Sequence, residues 1–302
     1  MNVFVTGGTG YVGQPIVRQL VEKGHHVTLL TRSEHRSDGL PKCVEIVIGD
    51  VFDDTALKLG MNQAEAVIHL VGIIREQPRR GLTMQRVHVE GTRHVIAAAL
   101  RLGVYRFVHM SALGAKSDAV SSYHRTKWEA EKCLRQSGLK FTIFRPSVVF
   151  GPGGPGPNFL SQLVDVTRLP VIPVVGDGNY PLQPVHTRTI AGVFEQALTL
   201  DTTIGETFEV GGPNVVSHQD IMSKIEAALD IQKPHLQIPI SLIQAMVRCF
   251  GWTGKFPLTR DQLSMLVEGN VCTNPGRLYD SFDVDPIPFT VNVNHDEKNG
   301  AT

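Results

Sequence analysis

The pattern of apolar and polar positions divides the first half of the 302-residue chain into alternating strands and helices. Short β-branched runs alternate with longer stretches in which apolar residues recur at helical spacing. Because the strands are apolar on both faces, we expect a doubly wound parallel α/β sheet that is covered by helices on each side. The predicted strands are 3–6, 26–31, 44–48, 66–71, 106–110 and 142–144, and the predicted helices are 12–22, 54–59, 83–102 and 122–137.

The second half has shorter and more mixed elements, and it begins with a glycine-proline segment at 151–157. Its pattern predicts helices at 190–200, 218–229 and 241–250 and a strand at 207–210. We therefore expect an NAD(P)-binding sheet domain over 1–150 and a smaller C-terminal α/β lobe over 151–290, interleaved with the sheet, that packs on the sheet edge and closes over a substrate. The polar residues 291–302 are expected to fray.

A glycine loop lies between the first predicted strand and the first predicted helix, with glycines at positions 7, 10 and 13. In such a loop Gly7 permits a tight turn, Gly10 lets the backbone approach a pyrophosphate, and Gly13 lets the helix pack closely on the strand. The helix N-terminus then faces the negative charge. Strand, loop and helix together predict a dinucleotide-binding Rossmann domain, and a tight turn without a ligand is the alternative.

The end of the second strand indicates which dinucleotide binds. Enzymes that select NAD place an acidic residue near this point, whereas this chain has Thr31 and Arg32, with Ser33 and Arg36 nearby. A guanidinium pairs well with a 2′-phosphate, so we expect NADP(H) in preference to NAD(H). A solvated surface role for Arg32 is the alternative. Asp50 is expected to accept a hydrogen bond from the adenine amine, and an N-cap role for Asp50 or Asp53 at the next helix is the alternative.

The composition narrows the class of protein. Hydrophobic residues make up 42% of the chain and charged residues 19%, as in soluble globular proteins. Lysine plus arginine equals aspartate plus glutamate at 29 each, which gives no reason to expect a nucleic acid partner. The four cysteines form no C-x-x-C pair, so they are expected to be reduced thiols rather than a disulfide or zinc framework. The histidines match no metal-binding motif, and we expect no bound metal.

We expect neither a signal peptide nor a transmembrane segment, and therefore a cytoplasmic protein. The apolar segment 238–252 is interrupted by Pro239, Gln244 and Arg248, which is typical of a core or interface helix. Attachment of this segment to a membrane surface is the alternative.

Tyr123 and Lys127 are four residues apart on a predicted helix, so their side chains share one face. A phenol titrates near pH 10, which is too high for acid/base catalysis at neutral pH. A neighbouring ammonium and a cationic nicotinamide ring lower that value, and a lysine can also hold the ribose hydroxyls. The pair therefore predicts an acid/base catalyst, although a half-buried tyrosine beside a solvated lysine has the same spacing.

Several motifs together resemble the short-chain dehydrogenase/reductase superfamily in its extended or atypical branch, which is epimerase- and dehydratase-like. They are the glycine loop 6–13, His69, the segments 89–92 and 109–112, Tyr123-x-x-x-Lys127, and the segments 144–152 and 211–213. The stretches 69–75, 123–127 and 258–262 are most similar to the subgroup of the nucleotide-binding accessory subunit of respiratory complex I and its bacterial relatives.

The resemblance implies the site residues. The superfamily pairs Tyr and Lys with a serine, for which Ser111 is the candidate, although the usual serine position falls at Ala112. The asparagine that commonly opens the Asn-x-x-Gly-Thr motif is His88, which would donate a hydrogen bond or relay a proton, or would be structural. The implied cofactor-binding residues are Gly7, Thr9, Gly10, Tyr11, Val12, Gly13, Thr31, Arg32, Ser33, Asp50, Val51, Leu70, Val71, Gly72, His88, Met110, Tyr123, Lys127, Pro146 and Val148.

Two functions are consistent with these features. The first is an NADP(H)-dependent oxidoreductase that moves a hydride to or from a small organic carbonyl or alcohol, with Tyr123 as acid/base, Lys127 orienting the ribose and Ser111 as the third member. The second is a non-catalytic NADP(H)-binding accessory or assembly subunit of a respiratory-type complex, docked through 238–256 and peripheral to the inner membrane. We favour the enzyme, as a monomer or homodimer, because a purely structural ligand site has no obvious use for Tyr123 and Lys127.

Overall fold

A computed structural model describes residues 1–34, 39–156, 158–250 and 259–291. Three sequence-based expectations lie partly or wholly outside the described residues: a role for Arg36, the end of the docking segment at 251–256, and the fraying of the tail from 292 onward.

Strands and helices alternate along the chain. The strands are β1 Asn2–Thr6, β2 His26–Thr31, β3 Glu45–Ile48, β4 Ala66–His69, β5 Arg106–Met110, β6 Lys140–Pro146, β7 Val149–Phe150, β8 Ile172–Val175, β9 Pro181–Leu182, β10 Val185–His186, β11 Glu206–Val210, β12 Val216–Ser217 and β13 His235–Ile238. The α-helices are α1 Gly13–Glu22, α2 Asp54–Gly60, α3 Gly91–Leu102, α4 Ser122–Arg135, α5 Phe159–Val166, α6 Thr187–Gln196, α7 His218–Leu229, α8 Ile240–Phe250, α9 Arg260–Glu268 and α10 Gly276–Ser281.

The central sheet has seven parallel strands in the order β11-β6-β5-β4-β1-β2-β3. β1 lies between β4 and β2, so the strand order reverses beside it. In open α/β sheets the carboxyl ends of the strands form a ligand crevice at such a reversal. The prediction of a doubly wound Rossmann sheet is confirmed.

Side chains that alternate along β1 serve both faces of the sheet. Val3 and Val5 pack in a core with residues of α1, α6 and α10. Phe4 points to the opposite face and packs in a second core with residues of α2, α3 and α4. The helix that carries Tyr123 and Lys127 therefore covers this second face.

The strand expected at 207–210 does not belong to the smaller lobe. It extends over Glu206–Val210 and pairs in parallel with β6, at the edge of the central sheet. Phe144 of β6 contacts Phe208 of β11 and Phe194 of α6, with ring centroids 5.9 Å and 4.7 Å apart. Residues beyond 150 thus complete the Rossmann layer. β11 covers the edge of β6, and α6 shares one apolar core with α1.

Part of the second half forms a lobe with a core of its own. β8 and β13 pair in parallel, and α5 and α7 pack beside them. Leu160, Ile172, Ile221 and Phe289 are among the buried residues of this third core.

The helix expected at 83–102 is present, but its first part has a different winding. Gln85–Glu90 forms a π-helix, and α3 continues from it. Such wide turns are rare and occur often at functional sites. No helix within the described ranges is both long enough and apolar enough to cross a membrane.

Candidate active site

The glycine loop is folded tightly against the end of β4. Gly7 has a φ of +77°, and a Cβ there would lie 2.9 Å from the carbonyl carbon of Leu70 and 2.9 Å from the nitrogen of Val71. A Cβ on Gly13 would lie 2.4 Å from the carbonyl oxygen of Gly7. These two positions therefore have no room for any larger residue, as the sequence predicts.

The outer side of the loop has the properties that a diphosphate needs. α1 begins at Gly13, and its first turn carries no acidic side chain. A Cβ on Gly10 would meet only the carbonyl oxygen of Gly7, at 3.4 Å, so the backbone is open there. Thr9, Tyr11 and Val12 belong to the same turn. A helix N-terminus without negative charge fits the diphosphate of a dinucleotide.

The end of β2 lies where the adenosine ribose is expected. Thr31 is buried, and its hydroxyl donates to the carbonyl of Ser33 at 3.0 Å. Arg32 is exposed. Glu34, also exposed, is an acidic residue near this strand end that the sequence-based argument passed over.

Asp50 and Asp53, which follow β3, accept hydrogen bonds from different backbone groups. Asp53 is the N-cap of α2, and its carboxylate accepts from the backbone N–H groups of Thr55 and Ala56, each at 3.0 Å. Asp50 accepts from the N–H of Phe52 at 2.8 Å in a turn. The capping alternative therefore holds for Asp53, and Asp50 stays a candidate for the adenine.

The remaining cofactor residues that the sequence predicts lie at the carboxyl ends of the strands. The sheet brings them to one edge because its strands are parallel: Val51 follows β3, Leu70, Val71 and Gly72 follow β4, Met110 ends β5, Pro146 ends β6, and Val148 follows β6.

Lys127 lies under this edge, on α4. Its side chain is buried, and Nζ donates to the carbonyl of Met110 at 3.0 Å. Gly72 lies next to the ammonium group, because a Cβ on Gly72 would be 3.0 Å from Nζ of Lys127. Burial lowers the pKa of Lys127 to about 8, and the negative charge of Glu131 opposes this shift. The ammonium is therefore still mostly protonated at neutral pH.

Tyr123 is half-buried one helical turn before Lys127, and its ring meets the ring of His88 edge-on, with centroids 5.5 Å apart. In the part of the chain that the structure describes, no group hydrogen-bonds its hydroxyl. Burial raises the pKa of Tyr123 to about 12. The lowering expected from Lys127 is absent here, because that ammonium is bound to Met110 and burial dominates. The phenol is therefore protonated at neutral pH.

His88 uses both ring nitrogens to hold the site together. Nε2 accepts from the N–H of Ile73 at 3.0 Å, so Nδ1 carries the proton and donates to the hydroxyl of Thr126 at 2.8 Å. Burial, with the charge of Lys127, lowers the pKa of His88 to about 2. These contacts support the structural alternative: the histidine joins the loop after β4 to α4.

Ser111, the predicted third catalytic residue, is bonded to another side chain in this structure. Its side chain is buried, and its hydroxyl donates to Glu131 Oε1 at 2.5 Å. Ala112, at the usual serine position, carries only a methyl group. The hydroxyl is thus engaged with a buried carboxylate, which disfavours a contact with a substrate carbonyl, and the catalytic role of Ser111 stays a prediction.

Two more buried histidines lie on β4 and β5. His69 bonds the hydroxyls of Thr6 and Thr92 at 2.6 Å and 3.1 Å, and burial lowers its pKa to about 3. His109 stacks on His69 with ring centroids 5.5 Å apart, and neither of its ring nitrogens has a partner among the described residues. The described residues include no group of three or more metal-ligating side chains that could hold an ion.

The glycine-proline segment crosses the glycine loop, which sequence reasoning missed. The hydroxyl of Tyr11 donates to the carbonyl of Gly151 at 2.6 Å, and the N–H of Gly154 donates to the carbonyl of Tyr11 at 2.9 Å. A Cβ on Gly154 would lie 2.5 Å from the carbonyl oxygen of Gly10. We call residues 151–156 the strap.

The start of α4 is held by α9. Asp261 accepts from the backbone N–H of Ser122 at 2.8 Å, one residue before Tyr123. A cavity of about 500 Å³ lies between α8 and α9, with three apolar and four polar or charged residues in its lining. Its lining residues are Val120, Gln244, Val247, Arg248, Arg260, Leu263 and Ser264. In the sequence, Asp261 stood out only as part of the stretch 258–262, one of those most similar to the accessory-subunit subgroup.

Comparison with known proteins decides the family. A family model described as NAD(P)H-binding matches residues 7–162, just over half of the chain. The chain belongs to the NAD(P)H-binding family. A second model, described as the RmlD substrate binding domain, matches residues 114–246. The resemblance to epimerase- and dehydratase-like short-chain dehydrogenases/reductases is confirmed.

Curated relatives of this NAD(P)H-binding protein include subunits of larger assemblies. It is 23% identical to the mitochondrial 40 kDa subunit of NADH-ubiquinone oxidoreductase from Neurospora crassa, over 93% of this chain and 75% of that one. It is 27% identical to NADH dehydrogenase [ubiquinone] 1 alpha subcomplex subunit 9 of Arabidopsis thaliana, over 94% and 73%. The photosystem II assembly factor Ycf39 of Synechocystis is 26% identical, over 96% and 88%.

Among solved structures, UDP-glucose 4-epimerase from Thermotoga maritima has the same fold. The two chains are 20% identical and superpose with a TM-score of 0.67, over 79% of this chain and 86% of that one. This similarity confirms the Rossmann architecture.

Proposed function

We propose that the chain is an NADP(H)-dependent oxidoreductase that reduces a small organic carbonyl compound, with Tyr123 as the proton donor. One observation carries the proposal. A phenol that is protonated at neutral pH, and whose hydroxyl is free of hydrogen bonds within the described ranges, stands one helical turn from a buried ammonium at the cofactor edge.

The chain's own groups have distinct roles in this proposal. Lys127, held between Met110 and Gly72, binds the ribose hydroxyls of the cofactor and orients the nicotinamide. NADPH, when bound, supplies the hydride. Tyr123 gives its proton to the carbonyl oxygen as negative charge develops there. Because Ser111 is bound to Glu131, Tyr123 holds that oxygen without a serine.

The preference for NADP(H) over NAD(H) is part of the proposal. Arg32 directly follows the last residue of β2, whereas Glu34 lies two residues further along. We expect Arg32→Ala to weaken NADPH binding about tenfold and leave NADH binding unchanged, since only NADPH carries the 2′-phosphate. Glu34→Gln is the matched control. If Glu34→Gln weakens NADH binding and Arg32→Ala changes nothing, the preference is the reverse.

Turnover tests the proposed activity. NADPH oxidation would be followed across panels of ketones, quinones and sugar nucleotides with the wild type, Tyr123→Phe and Tyr105→Phe. Tyr105 is an exposed tyrosine that precedes β5. We expect Tyr123→Phe to lower kcat by about 100-fold or more with NADPH affinity retained, and Tyr105→Phe to behave as the wild type. Equal turnover by Tyr123→Phe, or none by the wild type on any panel, contradicts the proposal.

A non-catalytic accessory or assembly subunit of a respiratory-type complex is the second candidate function. The names of the curated relatives favour it, and so do Leu242 of α8, which is 52% exposed, and the cavity between α8 and α9. In that case NADP(H) stabilises the fold by binding to it. Slow cofactor release, absence of turnover and co-migration with a membrane complex would select this function over the first.

A further inference from the structure

A buried ionic network holds the second half of α4. The Glu131 side chain is fully buried and accepts four hydrogen bonds. Ser111 Oγ donates at 2.5 Å, Arg145 donates through Nε at 2.8 Å and through Nη2 at 2.7 Å, and Arg135 donates through Nη2 at 3.0 Å. A carboxylate has about four acceptor positions, so this one is saturated.

The contact with Arg145 is two-pronged, which fixes its geometry as well as its distance. The guanidinium groups of Arg145 and Arg135 also lie over the ring of Trp128, at 5.5 Å and 5.6 Å from its centroid. Arg145 belongs to β6 and Trp128 to α4. The network therefore ties the helix to β6, the strand next to the edge strand β11 of the central sheet.

The same helix face carries the candidate site. Tyr123, Lys127 and Glu131 follow each other at intervals of four residues. Lys127 binds the carbonyl of Met110, and Glu131 binds the hydroxyl of the next residue, Ser111. Two consecutive residues at the end of β5 thus hold two consecutive turns of α4.

We propose that Glu131 is a positioning residue for the candidate site: through Ser111 and Arg145 it sets the position of α4 on the sheet, and its negative charge stands one helical turn from the Lys127 ammonium. The effect on turnover rests on the proposed function. The effect on Lys127 does not.

The electrostatic part follows from what surrounds Lys127. His69 on β4, His109 on β5 and His88 on the π-helix are all buried, and burial lowers the pKa of each, so they are neutral at pH 7. Among the described groups, Glu131 is the charge that raises the pKa of Lys127 against burial. Without that charge, we expect burial to lower the pKa of Lys127 further.

The protonation of Lys127 is measured directly by NMR titration of the ε-carbon in protein labelled with ¹³C-lysine, with the signal assigned by its loss in Lys127→Met. We expect a midpoint near pH 8 in the wild type. Glu131→Gln is expected to lower the midpoint by about one pH unit, because an opposite charge has been removed. Glu129→Gln removes an exposed glutamate from the same helix, and Ser111→Ala keeps the charge of Glu131; both should titrate as the wild type. An unchanged midpoint in Glu131→Gln overturns the electrostatic part.

Glu131→Asp tests the positioning part and guards against misfolding of Glu131→Gln. It keeps the charge but is one methylene too short to reach Ser111 and both nitrogens of Arg145. We expect the Lys127 midpoint to stay near that of the wild type and kcat for carbonyl reduction to fall at least fivefold, with KM for NADPH nearly unchanged. Wild-type kcat in both Glu131→Asp and Ser111→Ala overturns the positioning part. If no variant and no wild type turns over, the proposed function has failed, and the Lys127 titration still decides the role of Glu131.

Discussion

At the scale of single residues, burial decides the protonation of the groups at the carboxyl edge. It keeps Tyr123 protonated, brings the pKa of Lys127 to about 8, and holds His69 and His88 neutral. A site with one proton donor and one cation suits the delivery of a proton to a carbonyl oxygen that is becoming negative.

The first residue-scale prediction concerns Gly7. Gly7→Ala combines a positive φ with a backbone clash, whereas Gly24→Ala has a φ of +80° and open space around its Cβ. We expect Gly24→Ala to lower the free energy of unfolding by about 1 kcal/mol and Gly7→Ala to lower it by about 1–3 kcal/mol more. Gly7→Ala should also weaken NADPH binding at least tenfold. Urea unfolding measures the stability and calorimetric titration the binding. Equal losses of unfolding free energy in the two variants would show that a Cβ at position 7 does not clash with Leu70.

The second concerns acid stability. Burial places the pKa of His109 well below its ordinary value of 6.5, so the unfolded chain binds a proton there below about pH 6.5 and the folded chain does not. Stability is therefore lost as the pH falls, by up to about 1.4 kcal/mol per pH unit for this group. His109→Phe should remove this contribution to the pH dependence of stability. We expect no loss of stability at pH 7.5, because the ring nitrogens of His109 have no partner among the described residues.

Urea unfolding at pH 7.5, 6 and 5 measures the effect of His109→Phe. His94→Gln, which changes an exposed histidine on α3, is the control and should keep the wild-type slope. A wild-type slope in His109→Phe would contradict the prediction.

Residue-scale expectations from the sequence succeeded where steric demands are local. The glycines at 7 and 13 are required by contacts within their own turn and with the adjacent strand end, so their spacing was sufficient. The role of Ser111 was not predictable, because it depends on Glu131, twenty residues away, and on Arg145 of a different strand. The role of His88 depends likewise on Ile73 and Thr126.

At the scale of elements, the strap is the feature that most affects how a cofactor enters. It crosses the loop that is expected to hold the diphosphate, and Tyr11 joins the two through its hydroxyl and its carbonyl. The hydroxyl of Thr187 also donates to the carbonyl of Pro152 at 2.7 Å, which anchors the strap to α6. We expect the cofactor to leave only when the strap moves.

Tyr11→Phe tests this element. Loss of one hydrogen bond of about 1 kcal/mol should increase the NADPH dissociation rate about fivefold, measured by stopped-flow displacement. Tyr279→Phe removes a similar bond, from a phenol to the carbonyl of Gly211, and is expected to leave the rate unchanged. If Tyr279→Phe accelerates release equally, or Tyr11→Phe does not accelerate it, the strap does not control release.

Element positions were predicted well where the apolar period is regular, and less well where contacts distant in sequence decide. The predicted helix 218–229 coincides with α7. The π-helix at Gln85–Glu90 was not predicted, because six residues are too few for the apolar pattern to distinguish its period from that of an α-helix. Composition marked 151–157 as a loop but did not show that it folds back on Tyr11, because glycine and proline predict a turn and not its partner.

At the scale of the whole molecule, the Rossmann layer and the lobe share the second half of the chain. β11 and α6 return to the central sheet, whereas α5, α7 and β8 contribute to the separate core. The sequence predicted the sheet but assigned β11 to the lobe, because a single strand signal carries no information about which sheet it joins.

Truncation tests this division. A chain that ends at Phe150 lacks β11 and α6, so Phe144 loses its contacts with Phe194 and Phe208 and the edge of β6 is exposed. We expect it to unfold without cooperativity, as followed by circular dichroism during heating. A chain that ends at residue 291 keeps all elements that the structure describes and should unfold cooperatively. Cooperative unfolding of the shorter chain would mean that residues 1–150 are a domain on their own.

The central claim is that a dinucleotide lies across the carboxyl edge of the sheet, with its diphosphate at the N-terminus of α1 and its nicotinamide facing Tyr123. A crystal structure of the chain with NADPH tests it most directly. The account predicts density for the diphosphate over Gly10 and Val12, the 2′-phosphate beside Arg32, and the ribose hydroxyls within hydrogen-bonding distance of Lys127. NADPH bound elsewhere, or bound with its nicotinamide turned away from the Tyr123 hydroxyl, would contradict it.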